Sequence, residues 1–205
     1  MDEIVKAALL KWPKVPHCYG WLALDARGDW YMRDDRIQAA GPFPEVKGSR
    51  ILHDKLREFI HRNYGHDEAG AWFFQNGPQR VYVTLEAAPF VWRLQAGADG
   101  TLQVYAHTGE AATPREVWLD EQGRAFLLTD LGFGLVHTLD IGVLVGALGE
   151  ALGEALASIM NTDATSSALQ ADAGMTSALG PVRSLPWAQM PARFGYQLRP
   201  RPAGG

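Results

Sequence analysis

Apolar and polar residues alternate on two periods along this chain, and the switches between them mark out its elements. Ile4, Val5, Ala8 and Leu9 fall at helical spacing, which predicts a short helix over Met1 to Leu10, ended by the Pro13 and Pro16 region. Trp21-Leu22-Ala23-Leu24 and Trp30-Tyr31-Met32 then flank a turn at Ala26-Arg27-Gly28-Asp29, the pattern of a β-hairpin. After the break at Gly41-Pro42-Phe43-Pro44, Leu52, Leu56, Phe59 and Ile60 return to helical spacing. With Ser49 as N-cap and Gly65 as stop, they predict a helix over Arg50 to Tyr64.

A meander of extended runs follows: Trp72-Phe73-Phe74, Arg80 to Glu86, Pro89 to Gln95, Leu102 to His107, Val117-Trp118-Leu119 and Ala125 to Thr129, separated by turns such as Asn76-Gly77-Pro78 and Gly97 to Gly100. Val81, Val83 and Leu85 alternate with Tyr82, Thr84 and Glu86, so one buried face and antiparallel pairing are expected. Leu139 to Ile159 reads as a helix with Leu148, Leu152 and Leu156 on about one face. Its glycines at 142, 146, 149 and 153 are read as close packing of helix on sheet. Beyond it, Thr162 to Gly180 reads as a flexible linker, and Trp187, Phe194 and Tyr196 as an aromatic tail that docks back onto the body.

These elements give an α+β protein, an antiparallel β-meander packed against helices. Three segments are expected: 1–75 with the N-terminal helix, hairpin and Arg50 to Tyr64 helix, 76–160 with the meander and the Gly/Ala/Leu-rich helix, and 161–205 with the linker and tail. The 205 residues are 47% hydrophobic and 20% charged and include seven tryptophans, enough to build a core for one large domain or two small ones.

A net charge of −4 and a pI near 5.8 lack the general attraction to phosphate backbones that nucleic-acid binding requires. One cysteine, Cys18, rules out an intrachain disulfide and fits a reducing compartment, hence a cytoplasmic expectation. The N-terminal stretch lacks the apolar core and cleavage site of an export signal. Leu135 to Met160 is apolar, but a membrane helix would carry Asp140, Glu150 and Glu154 into hydrocarbon at roughly 2.5 kcal/mol or more for a central Asp. No membrane role is expected.

Candidate chemistry is sparse. The spacings of phosphate loops, nucleophile elbows, zinc helices and paired Cys-x-x-Cys are missing from the sequence. Gly132-Phe133-Gly134 lacks the third glycine of a dinucleotide loop and reads as a tight turn. His53 and His61 lie two helical turns apart, roughly 12 Å at 1.5 Å per residue, too far to share one zinc without outside ligands. They read instead as a solvated basic face with Arg50, Arg57 and Arg62. His17 and Cys18 point to opposite sides of an extended segment, and the acid pairs Asp34-Asp35 and Asp67-Glu68 read as solvated loop residues. Arg80 and Arg93 either pair with an acid such as Glu86 or hold an anion.

The expectation is therefore a non-enzymatic ligand-binding or regulatory module, with no metal and no cofactor. Its cleft would lie between the Arg50 to Tyr64 helix and the meander, or between two small domains, with ligand candidates His53, Arg57, Arg80, Trp92 and His107. One alternative is a protein-interaction or assembly component that uses the Leu139 to Met160 helix and the tail. Another is a hydrolase with a site dispersed over His53, His61 and His107. Partner and oligomeric state are left open.

Asp25-Ala26-Arg27-Gly28-Asp29-Trp30, the break and helix from Arg50 to Tyr64, and Gln79 through Phe90 resemble an uncharacterised proteobacterial family of small proteins over approximately residues 12 to 145. They are similar, more distantly, to a second family of unknown function that shares a strand ending in an acidic-x-x-Pro-Phe motif. That resemblance implies two similar small α+β domains in tandem and a role in ligand sensing or signal transduction. It brings no catalytic residue, and Glu86-Ala87-Ala88 stands where the second family tends to have another acid.

Overall fold

The computed structural model describes residues 1–97, 101–149, 176–177 and 179–202. Their contacts divide into two compact units, Met1–Pro89 with Gly195–Gly205, and Phe90–Phe194. The architecture is α+β.

In the first unit, helix α1 (Glu3–Lys11) leads into strands β1 (Cys18–Leu24) and β2 (Trp30–Met32), helix α2 (Asp35–Ala40), strand β3 (Ser49–Arg50) and helix α3 (Asp54–Arg62). Strands β4 (Tyr64–His66), β5 (Trp72–Asn76) and β6 (Gln79–Leu85) complete a six-stranded sheet in the order β3-β2-β1-β6-β5-β4. Its pairs are antiparallel except β1 with β6, which run parallel. This departs from an all-antiparallel meander. Because β1 and β6 are central, β6 is covered on both sides: Tyr82 and Thr84 are buried as well as Val83 and Leu85.

The second unit holds β7 (Phe90–Ala96), β8 (Leu102–Ala106), β9 (Ala111–Ala112), β10 (Pro114–Leu119), β11 (Ala125–Thr129), β12 (Phe133–Val136), β13 (Thr176–Ser177) and β14 (Gly180–Ser184). They form an eight-stranded sheet ordered β13-β14-β10-β11-β12-β7-β8-β9, in which β12 with β7 and β10 with β14 are parallel. Trp92, Val117, Phe126 and Leu127 are completely buried in it. A 3-10 turn (Thr138–Asp140) opens helix α4 (Ile141–Leu148), whose Leu144 and Leu148 are buried. Helix α5 (Met190–Phe194) lays Phe194 flat on Phe133 at 3.8 Å and edge-on to Trp118 at 5.2 Å.

Several expectations change. Ser49 does not cap a helix: Ser49 and Arg50 pair with Met32 and Tyr31 as β3, so α3 starts later and His53 caps it, Nδ1 accepting from Leu56 N–H at 3.3 Å. Gly134 lies within β12 rather than in a turn, and the Thr129 to Gly132 segment turns the chain instead. The expected linker is replaced at its far end by the β13–β14 pairing, while its residues 162–175 and 178 lie outside the described residues, as do 150–159 of the predicted long helix. Outside the helix's own backbone and the glycines' chain neighbours, no described atom lies within 4 Å of a Cβ built on Gly142 or Gly146, so close packing among the described residues does not account for these glycines.

One turn recurs. Asp25, Asp67 and Asp120 each begin a five-residue turn in which one carboxylate oxygen accepts from the N–H groups two and four residues on, and a glycine with positive φ sits fourth. Each second oxygen is used elsewhere: Asp25 accepts from Lys47, Asp67 from Tyr82 Oη and Asp120 from Arg124 Nε. Asp67 is thus a structural turn residue rather than a solvated loop acid.

Candidate functional site

The side chains that form a cleft in the first unit follow from register. Cys18 is paired with Val81, and Val81 with Phe74, so three side chains from β1, β6 and β5 stand in a row on one face. Leu22 opposite Met32 extends that face onto β2. The register of β1 shifts between Cys18 and Leu22, where Gly20 has φ 75°, and this bulge brings Trp21 to the same cleft as Leu22. A Cβ on Gly20 would lie 2.3 Å from the mobile end of Gln38, and the positive φ itself strains any residue with a Cβ there.

Helix α3 supplies the opposite wall. Leu56 and Ile60, four residues apart, project from one side of it, and Ile51 precedes them. Between the two walls is a cavity of about 260 Å³, with Asn76 and Gln79 at its polar border. Its lining is apolar, yet Trp21 and Met32 remain 39% and 48% exposed. Burial first, and the Asp35 charge second, push the Cys18 thiol above its ordinary range.

The cleft is braced by the residues that precede and follow α1. Asp2 N–H donates to Asn63 Oδ1 at 2.8 Å, and Asn63, at the end of α3, is buried. Further along, Gln79 Nε2 donates to the carbonyl of Pro16 at 2.9 Å. Trp30 Nε1 donates to His61 Nε2 at 3.0 Å, fixing α3 on the sheet and leaving the imidazole proton on Nδ1 when His61 is neutral.

On the other face lies a charged cluster. Lys47 Nζ is 2.8 Å from Asp25 Oδ2 and 3.7 Å from Glu86 Oε2, with the Tyr31 ring 5.3 Å away. Burial alone would raise the Asp25 carboxyl. The Lys47 hydrogen bond, the Asp29 and Arg27 N–H groups and the Lys47 charge outweigh it, and the carboxyl is held below its ordinary range. Lys47 is correspondingly raised: burial works against its charge, but Asp25 and Glu86 prevail. Glu86 also accepts from Ala26 N–H at 3.1 Å, so the acid of the acidic-x-x-Pro-Phe segment ties β6 to the first hairpin.

The five residues singled out in the sequence do not converge on the cleft. His53 caps α3, Arg57 pairs with Asp54, and Arg80 lies over the Phe73 ring at 4.4 Å rather than pairing with Glu86. Trp92 is completely buried, its Nε1 donating to Leu127 at 3.1 Å, and His107 Nδ1 accepts from Val91 N–H at 3.3 Å. Those last two belong to the second unit, so His53, His61 and His107 are divided between the units. Arg93 makes a two-pronged ion pair with Asp140, at 2.6 and 3.2 Å. Among the described residues no helix is long and apolar enough to cross a membrane, and no three His, Cys, Asp or Glu side chains are grouped to hold a metal ion.

No curated protein matches the sequence. Two solved structures are similar to the chain. A DUF1285 family protein from Silicibacter pomeroyi DSS-3 is 13% identical, with 72% of this chain and 85% of that one covered at a TM-score of 0.45. A DUF1285 family protein from Shewanella baltica OS155 is 16% identical, with 62% and 91% covered at a TM-score of 0.42. Over residues 1–201 the sequence matches the DUF2944 family, described as a protein of unknown function (DUF2946), and the chain belongs to that family.

Proposed function

We propose that the chain is a binding protein for a small, largely apolar molecule seated between α3 and the six-stranded sheet. The observation that carries this reading is the apolar cavity of about 260 Å³ with Trp21 and Met32 left partly exposed at it. A dry cavity of roughly 150 Å³ takes up benzene, so this one suits an occupant of about ten non-hydrogen atoms, of indole or naphthalene size. Covering the two exposed side chains would supply the driving force, and Asn76 and Gln79 would orient a polar end. A regulatory role in the cytoplasm fits this reading, since α3 forms one wall and is pinned to α1 through Asn63.

The test is thermal shift and calorimetry of the full chain with indole, naphthalene-2-sulfonate and short-chain fatty acids. At least one should stabilise the wild type, and Leu56→Trp, which fills the cleft, should abolish that shift while keeping the native circular dichroism spectrum. No shift with any of these probes, or equal shifts in wild type and L56W, sinks the reading.

A further inference from the structure

Arg33 is covered without an acidic partner among the described residues. It is 5% exposed. A covered guanidinium normally sits against a carboxylate, because the loss of hydration is otherwise uncompensated. Arg33 instead donates to two backbone carbonyls, from Nε to Val46 at 3.2 Å and from Nη2 to Gly41 at 2.7 Å. These bonds hold the plane of the guanidinium but supply no countercharge.

A second arginine adds to the imbalance. Arg199 Nη2 donates to the carbonyl of Phe43 at 3.0 Å, and the Arg33 guanidinium carbon is 5.8 Å from the centre of the Phe43 ring, so both cations converge on one residue. Burial and then the Arg199 charge weaken the hold of Arg33 on its proton, which is the effect of a like charge nearby. Among the described residues neither arginine has an acid within ion-pair distance. Asp34, the neighbour of Arg33 in sequence, accepts from Ile37 N–H at the start of α2, and Asp25 and Glu86 hold Lys47.

We propose that Arg33 and Arg199 form a receptor for one small oxyanion, the phosphate or carboxylate group of a metabolite, at a site separate from the apolar cleft. Each guanidinium has five N–H donors in a planar fork, and the observed bonds use two on Arg33 and one on Arg199. The remaining donors suit an oxyanion that bridges the two cations and cancels their repulsion. Arg199 is exposed and forms the entrance, while Arg33 is prepositioned behind it by the Gly41 and Val46 carbonyls. This inference is independent of the cleft, because neither arginine lines it.

The experiment is calorimetric titration of the full chain with sodium phosphate and with sodium acetate, each against sodium chloride at equal ionic strength. It is accompanied by the Arg33 Nε–Hε signal in nitrogen-15 spectra, assigned with Arg33→Lys. Saturable binding of phosphate or acetate that shifts this signal, and that weakens at least tenfold in Arg199→Gln, supports the receptor. The stronger of the two anions identifies phosphate or carboxylate as the preferred group. Equal behaviour of both anions and chloride, or unchanged affinity in R199Q, overturns the proposal and leaves the arginines as clamps on the 41–46 loop. R199Q alters an exposed side chain, so this test stands even if R33K does not fold.

Discussion

Lys47 Nζ lies 2.8 Å from Asp25 Oδ2, joining stretches 22 residues apart, with the Asp25 side chain 1% exposed and the Lys47 side chain 38%. Loss of Lys47 would leave the Asp25 charge covered and without its cation, with the Arg27 and Asp29 N–H groups still donating to it. Lys47→Met should destabilise the fold by about 1–2 kcal/mol, less than for a fully buried pair because water already screens the ammonium. The sign with pH is fixed by the two directions. The lowered Asp25 contributes stability that is present above its ordinary value of 3.8 and is lost as pH falls through its folded value. The raised Lys47 contributes stability that is present below 10.5 and is lost as pH rises through its folded value. Urea titrations should therefore give a wild-type to K47M gap that is constant near pH 7 and shrinks below pH 3.8 and above pH 10.5. A gap unchanged at acid pH would remove the Coulombic account.

Gly70 and Gly109 occupy the same place in two similar turns, with φ 75° and 98°, but in different surroundings. A Cβ on Gly70 would lie 2.0 Å from the carbonyl oxygen of Gly195, beside the segment whose Gln197 N–H donates to Gly70. A Cβ on Gly109 meets no described atom within 4 Å. Gly109→Ala should cost about 1 kcal/mol from backbone strain alone, and Gly70→Ala about 2–4 kcal/mol through the added clash. Equal midpoints for the two variants in urea would show that the close approach to Gly195 carries no weight.

Gly134 and Gly146 should respond in opposite directions. On β12 a Cβ at Gly134 would come within 2.7 Å of Phe90 and 2.5 Å of Trp92 Nε1, the donor to Leu127. Gly134→Ala should cost about 2–4 kcal/mol and change the near-ultraviolet dichroism of the buried indole. Gly146 is in α4 with no described atom within 4 Å of its Cβ, so Gly146→Ala should stabilise the chain by about 0.5–1 kcal/mol. A destabilised G146A would mean that α4 packs against something its described surroundings do not include.

These glycines also show where sequence reading stops. Periodicity made the hairpin of β1 and β2, the strands β5 to β8, β10 and β11 and the core face of α3 legible, because alternation and helical spacing are local signals. The parallel pairing of β1 with β6 is not local, since 54 residues separate the end of β1 at Leu24 from the start of β6 at Gln79, and no spacing announces it. The candidate cleft depends on that pairing. A wall on α3 facing the sheet was expected, but the residues chosen for it were polar or aromatic, whereas Cys18, Val81 and Phe74 come into line only after β1 and β6 are joined. Lys47 carried no motif at all. The one available hint was Glu86 in the acidic-x-x-Pro-Phe segment, whose partner could not be read from its neighbours.

Cys18 turns the cleft into something measurable. Its thiol is partly accessible, lines the cavity and is raised above 9.0 by burial and by the Asp35 charge. Since the thiolate is the reacting form, alkylation by iodoacetamide at pH 7.5 should be slower than for a free cysteine, and its rate should keep rising past pH 9.0. Asp35→Asn removes the smaller of the two causes, so it should speed the reaction modestly, by roughly two- to threefold, without altering the fold. An apolar molecule seated between α3 and the sheet would shield the same sulfur, and a compound that raises the melting temperature should slow alkylation in proportion to its occupancy. Stabilisation by a compound that leaves the Cys18 rate untouched would place that compound elsewhere on the protein.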